Sequence, residues 1–232
     1  FAQKTADAHN LTREDMDAFA IESLTRAKRA IDEGLNAKEI APVTIHTRRG
    51  EHTVTVDEQP HKANLDKIPL LRPAFAEDGT ITPANSSSIS DGASALLLAS
   101  EDAVANHELK PRARIVAHAR NSLAPEDFTL APIGAAEQVL AKAGWSASEV
   151  NLWEINEAFA MVTMLTTRAL ELDPASVNVH GGAIALGHPL GCTGAKLTVQ
   201  LLNELKTRNA KHGIVTMCVG TGQGAAGVFE ML

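Results

Sequence analysis

The chain has 232 residues, 44% hydrophobic and 21% charged, with a formal net charge of −7. This composition suits a globular protein with a sizeable core, and the acidic balance gives no support to nucleic-acid binding. No apolar run approaches the length of a membrane span, and two cysteines make no disulfide framework, which points to a reducing, cytoplasmic setting. With no tyrosine and 3% aromatics, the core has to be aliphatic.

Thr12 is a good helix N-cap, with Glu14 and Asp15 placed where the helix dipole favours negative charge. Met16, Phe19, Ala20, Leu24, Ala27 and Ile31 follow at spacings of three and four, so a helix is predicted as far as Gly34. Residues 43–48 and 52–57 alternate around Arg49-Gly50 and predict a hairpin, with His46, Arg48, Arg49 and His52 on a solvated face. Residues 59–90 are dense in Pro, Gly, Asn and Ser and are read as a long ordered loop. Asp91 to Ala99 reads as a buried strand of small residues, and residues 101–107 as helix.

A domain boundary is placed near Pro111. Beyond it the pattern is strand 113–118, helix from Pro132 to Gly144, strand Val150–Ile155, helix Glu157–Leu172, and strand Val177–Val179. A glycine-rich loop, an amphipathic helix from Ala195 to about Arg208 and two strands, Ile214–Val219 and Ala225–Glu230, complete it. The order β-α-β-α-β-α-β-β predicts a layered α/β domain.

The stretch Asn178 to Lys196 holds five glycines, two histidines, a proline and Cys192. Such glycine density suits a backbone that turns tightly and approaches a ligand closely. Asn156, His188 and Cys218 each fall at a strand-to-helix or strand-to-loop junction, where α/β sheets place their sites. Carboxamide, imidazole and thiol beside glycine backbone can carry acyl or enolate chemistry. Taken singly, each has a plainer reading. A buried cysteine is usually a small hydrophobe, a glycine loop a turn or general anion site, and an Asn before a helix a cap. His180, His188 and Cys192 lack zinc-ligand spacing, so no metal site is expected.

Together the motifs are specific. Asn156-Glu157-Ala158-Phe159-Ala160, Gly181 to Gly191 (Gly-Gly-Ala-Ile-Ala-Leu-Gly-His-Pro-Leu-Gly) and Cys218-Val219-Gly220-Thr221-Gly222-Gln223-Gly224 resemble the signatures of thiolases in kind, order and spacing. Leu71-Arg72-Pro73-Ala74-Phe75 and Asn85 to Gly92 are similar to that family's coenzyme A-binding loop region. The resemblance implies carbon–carbon bond making or breaking between acyl-CoA units through an acyl-cysteine. Cys218 would then be the acid/base at the α-carbon. His188 would help to activate the nucleophilic cysteine and, with Asn156 acting through a water, would hold the thioester oxygen, and the Gly220 N–H would serve a second oxyanion hole. Coenzyme A would touch Phe75, Ser87, Ile89, Ala158 and Phe159. It would be bound as a substrate, with no prosthetic group or metal.

The family's acyl-accepting cysteine belongs to a motif N-terminal to all of these, and this sequence has no such motif. Cys192 is the only other thiol and stands where the family tends to have a small residue, often Ala. The sequence also opens on Phe1 rather than Met. The expectation is therefore the C-terminal portion of a thiolase, inactive alone, with the nucleophile supplied by an N-terminal segment or a second chain. Its parts would be a CoA-binding loop domain (1–85), a returning edge of an incomplete N-terminal thiolase domain (86–110) and a layered α-β-α C-terminal thiolase domain (111–232). The assembly expected is a homodimer or tetramer. The favoured activity is thiolytic cleavage of 3-ketoacyl-CoA. The alternatives are a biosynthetic acetoacetyl-CoA thiolase and a non-catalytic CoA-binding or scaffolding half.

Overall fold

A computed structural model describes residues 1–232. Helix α1 (Ala2–Ala8), which the sequence reading missed, leads into α2 (Arg13–Asp32). The start of α2 is set by a capping box. Thr12 Oγ1 accepts from the Asp15 N–H at 3.0 Å, and the Asp15 carboxylate accepts from the Thr12 N–H at 3.3 Å. Its apolar stripe buries Met16, Ala20, Leu24 and Ala27, and Gly34 follows in the left-handed conformation at φ 68°. Strands β1 (Val43–Thr47) and β2 (Gly50–Val54) form the predicted hairpin, exposed along nearly all its length, with His46, Arg48, Arg49 and His52 in solvent. Within the expected loop region lie a short helix α3 (Gln59–Lys62) and a 3₁₀ turn (Leu65–Leu70), each containing a proline.

Residues 91–99 do not form the expected buried strand. They carry no regular structure and every one is exposed, Leu97 at 88% and Leu98 at 72%. A strand is stabilised by pairing and by packing against neighbours, and nothing within this chain pairs with the segment. Helix α4 (Glu101–Asn106) follows, capped by the Ser100 hydroxyl.

The rest is a four-stranded sheet with helices on both faces. Strands β3 (Ala113–Ser122) and, after α5 (Ala131–Ala143), β4 (Leu152–Ile155) are the two edges. Helices α6 (Ala160–Ala169), α7 (Ala183–Leu186) and α8 (Thr193–Thr207) precede β5 (His212–Val219) and β6 (Gln223–Met231). The order is β3-β6-β5-β4, with β4 and β5 parallel and the other pairs antiparallel. Strand alternation divides the core. Trp153, Ile155, Ile214 and Val228 pack with Ala135, Ala136 and Val139 of α5. Leu152 and Val215 pack on the opposite side with Leu197, Leu201 and Leu205 of α8, an i, i+4, i+8 stripe. A third cluster joins α1 and α2 to α6, and Cys218 lies in it with Met161 and Ile184.

Two further expectations are corrected. The helix read from Glu157 to Leu172 runs only from Ala160 to Ala169, because Phe159, at φ −143° and ψ 154°, is still extended. The strand read at Val177–Val179 is a single parallel bridge between Val177 and Trp153. Asn178 has φ 45°, which no strand accommodates. Its side chain takes over the pairing, with Oδ1 accepting from the Ile155 N–H and Nδ2 donating to the Ile155 carbonyl, both at 2.8 Å.

Candidate active site

The parallel pair β4 and β5 ends at one edge of the sheet. Ile155 pairs with Thr216, and the Asn156 N–H donates to the Thr216 carbonyl at 3.0 Å. Asn156 therefore leaves β4 beside the end of β5 that carries Cys218, at the strand ends where α/β folds seat ligands.

Segment 85–89 threads between two loops at this edge. The Ala160 N–H donates to the Asn85 carbonyl at 2.9 Å, the Ser87 N–H to the Ala158 carbonyl at 3.0 Å, and the His188 N–H to the Ser88 carbonyl at 3.0 Å. Ser86 bridges Phe159, and Ile89 bridges His188. Asn85 itself is buried and holds the thread from below. Its Oδ1 accepts from the Thr82 N–H at 2.8 Å, and its Nδ2 donates to Asp17 and to the Thr80 carbonyl, each at 3.0 Å. The Ser87 hydroxyl donates to the Ala158 carbonyl at 3.2 Å. Phe159 is fixed by an edge-on contact with Phe128, ring centres 6.4 Å apart.

The glycine loop is held by one buried carboxylate. Glu157 accepts from the Ser23 hydroxyl at 2.7 Å, from Asn178 Nδ2 at 2.9 Å and from the Ile184 N–H at 3.2 Å. Ser23 Oγ in turn accepts from the Gly182 N–H at 3.0 Å. Burial pushes the Glu157 carboxyl up, against the hydrogen bonds from Asn178, Ser23 and Ile184. A Cβ on Gly182 would stand 2.2 Å from that carboxyl carbon. Gly187 is equally constrained, with φ 87° and a Cβ position 2.2 Å from Ser90 Oγ. Here the glycines serve close approach to Glu157 and Ser90, and that approach fixes the position of His188.

His188 Nε2 lies 3.5 Å from Asn156 Nδ2, and its Nδ1 is 2.7 Å from Thr193 Oγ1. Burial, then the charge of Lys196, pulls the imidazole below its ordinary value, so it is neutral near pH 7. Asn156 Oδ1 is buried with no hydrogen-bond partner. An unmet buried acceptor costs about 1–3 kcal/mol, so this oxygen is disposed to receive a donor. Cys218, 7% exposed, has its thiol pushed up to about 11 by burial and is held as S–H. These groups offer a neutral imidazole, a free amide acceptor and a buried protonated thiol at one sheet edge.

Of the other expected residues, Ser87, Ile89, Ala158 and Phe159 are drawn to this edge by the bonds and bridges above. Gly220 is exposed and opens the turn between β5 and β6, where Thr221 and the buried Gly222 take φ of 68° and 87°. Phe75 is 69% exposed on a loop closed by the Ala74 N–H to the Ile81 carbonyl, and that loop meets the thread through the Thr80 carbonyl, which accepts from Asn85 Nδ2. Cys192 is half-buried and lines an open cleft of about 340 Å³ with Ser90, Asp91, Gly92 and Pro189. Asn156 caps no helix, since α6 starts four residues on. Ser23 and Thr193 were not singled out from the sequence. No spacing signals a serine that meets its carboxylate 134 residues away. Thr193 could have been found as the first helical residue after a loop bearing His188.

The chain matches the family descriptions "Thiolase, N-terminal domain" over residues 1–102 and "Thiolase, C-terminal domain" over residues 109–231. It is 41% identical over 230 residues to the Bos taurus mitochondrial 3-ketoacyl-CoA thiolase, covering 99% of this chain and 58% of that protein. It superposes on the Bacillus anthracis acetyl-CoA acetyltransferase with a TM-score of 0.96 at 40% identity, covering 100% of this chain and 59% of that one. The human mitochondrial 3-ketoacyl-CoA thiolase in complex with CoA gives a TM-score of 0.89 at 37% identity, over 100% and 58% of the two chains. The sequence thus spans somewhat over half the length of these relatives, and across that span it belongs to the thiolase family.

Proposed function

We propose that this chain supplies the CoA-binding region and the proton-transfer and oxyanion groups of an acyl-CoA C-acyltransferase that cleaves 3-ketoacyl-CoA. The observation that carries the reading is Asn156 with His188 at 3.5 Å, beside an unpartnered buried Asn156 Oδ1. In this scheme His188 Nε2 takes the proton of a cysteine thiol from an N-terminal thiolase segment or a second chain, and the thiolate attacks the 3-keto carbon. The C2–C3 bond breaks, and its electron pair passes into the acetyl-CoA enolate. The His188 imidazolium so formed, through its Nε2–H, and a water held by Asn156 stabilise the enolate oxygen. The Cys218 S–H gives its proton to C2, releasing acetyl-CoA. The resulting Cys218 thiolate then takes the proton of an incoming CoA thiol, whose sulfur attacks the acyl-cysteine while the Gly220 N–H holds the oxyanion. The cysteine leaves as a thiolate and recovers its proton from His188, and the product is a shortened acyl-CoA. Phe75, Ser87, Ile89, Ala158 and Phe159 contact coenzyme A in this reading, within a loop domain (1–85), a returning segment (86–110) and a C-terminal domain (111–232). The working enzyme is a homodimer or tetramer, and the chain alone is inactive.

A second reading, biosynthetic formation of acetoacetyl-CoA, runs the same steps backwards. The superposition on an acetyl-CoA acetyltransferase supports it as the one on a 3-ketoacyl-CoA thiolase supports the first. Rates with acetoacetyl-CoA against longer 3-ketoacyl-CoA substrates decide between the two. The cytoplasm is the proposed compartment, although the bovine and human relatives carry mitochondrial names. No helix is long and apolar enough to cross a membrane.

The test is Cys218→Ser in the intact enzyme. Thiolysis and condensation should fall by a factor in the range of about 10²–10⁴ that acid–base catalysis contributes. Acyl loading of the nucleophile, read by intact mass, should persist. Equal loss of acyl loading would remove Cys218 from the α-carbon role.

A further inference from the structure

We propose that Thr193 is a positioning residue that holds His188 as the Nδ1–H tautomer and so presents a bare Nε2 to the site. Thr193 is 1% exposed, and its Oγ1 lies 3.0 Å from the Pro189 carbonyl and 2.7 Å from His188 Nδ1. A hydroxyl has one proton to give. Donation to the carbonyl four residues back is the habit of helical threonines. This chain shows it at Thr25, Thr166, Thr198 and Thr207, with distances of 2.7–2.9 Å. With the proton spent on Pro189, Thr193 Oγ1 is an acceptor, and the ring nitrogen facing it carries the hydrogen.

At the other end of the ring Asn156 Nδ2 stands 3.5 Å from Nε2, close enough for a bare Nε2 to accept from the amide in this orientation. The relay therefore runs Asn156 Nδ2–H to Nε2, Nδ1–H to Thr193 Oγ1, and Thr193 O–H to the Pro189 carbonyl. Which nitrogen carries hydrogen is set by the partner of the other. Protonation at Nε2 leaves the Thr193 contact unchanged, so the imidazolium keeps an acceptor at Nδ1.

The tautomer stands independently of the acyltransferase reading, and its catalytic consequence rests on that reading. Long-range ¹H–¹⁵N correlation spectra of the histidine-labelled protein at about pH 8, where the neutral ring dominates, report it directly. The His188 signals are assigned by their loss in His188→Asn. The expected pattern is protonated Nδ1 and bare Nε2 in the native protein and in Thr193→Ser. Thr193→Val should shift the pattern to mixed or Nε2–H. A native Nε2–H ring, or a Thr193→Val spectrum identical to the native one, would overturn the assignment. In the intact enzyme, Thr193→Val should lower kcat by about tenfold to a hundredfold with KM little changed, and Thr193→Ser should restore it, a part of what acid–base catalysis contributes. If the native enzyme shows no thiolysis at all, the acyltransferase reading fails while the spectra still decide the tautomer.

Discussion

Residues 178–188 and residues 91–99 read alike in the sequence, both apolar and rich in small side chains. In the structure they are opposites. From Val177 to Gly187 every residue is buried, although the backbone is mostly irregular. From Asp91 to Ala99 every residue is exposed, although the composition suits a strand. The difference lies in partners. The first segment has Glu157, Ser23 and the Ile155 backbone to satisfy its polar groups. The second has neither a pairing strand nor a covering helix. Irregular backbone can be buried only when its N–H and C=O groups are met, and apolar residues are buried only against something.

The comparison is broken most severely at Glu157. Glu157→Ala should destabilise the protein by roughly 3–5 kcal/mol, since it strands the donors of Ser23, Asn178 and Ile184 around a cavity. Urea unfolding measures it. A loss below about 1 kcal/mol would mean that the glycine loop is held by apolar packing alone. Next comes Asn178→Ala, which removes both Ile155 hydrogen bonds and leaves a Cβ residue without local support at φ 45°. About 2–3 kcal/mol is expected. Asn178→Gly relieves the backbone strain but not the lost bonds, so it should recover only part of the difference.

These two residues also mark how far sequence alone reaches. Helix α2 was legible because its cap, its period and its glycine stop all lie within 23 residues, from Thr12 to Gly34. Strands β5 and β6 were legible from their apolar runs and the glycine turn. His188 and Asn156 stood out through motif and position. Their support did not, because Ser23 meets Glu157 across 134 residues and the hydrogen bond between them leaves no periodic trace. Asn178 sat in an apparent strand because Val177 and Val179 suit one, while the positive φ between them is set by tertiary contacts. At 91–99 the composition suited a strand, but a strand forms only where a neighbour pairs with it, and none does here.

A smaller effect comes through pH. Burial, then Lys196, lowers the His188 value in the folded protein, while the unfolded imidazole titrates near 6.5. As pH falls through about 6.5 the unfolded state takes the proton first. The stability present above that pH is therefore lost until the folded value is passed. His180 is lowered in the same direction by burial, with Glu204 opposing. Glu154 and Glu157 are raised by burial and act oppositely, gaining stability as pH falls from their folded values towards the unfolded one. The difference between native and His188→Asn unfolding curves isolates one group. The variant should lose less stability between about pH 6.5 and 5. Parallel curves would place His188 in a solvent-like environment.

The smallest effect is the most discriminating. Leu97→Ala should change the stability of this chain by less than about 0.5 kcal/mol, because the side chain is 88% exposed and touches no core cluster. Leu201→Ala, fully buried under the sheet, should cost about 2–5 kcal/mol by the same urea measurement. Two leucines with equal transfer free energy thus bracket the range that burial alone controls. If residues 86–110 are the returning edge of a larger N-terminal domain, Leu97→Ala in the intact protein should move towards the Leu201 value. If the intact protein tolerates Leu97→Ala as readily as this chain does, the segment is not the edge of a larger domain. Leu97 would then be an exposed leucine on a surface loop.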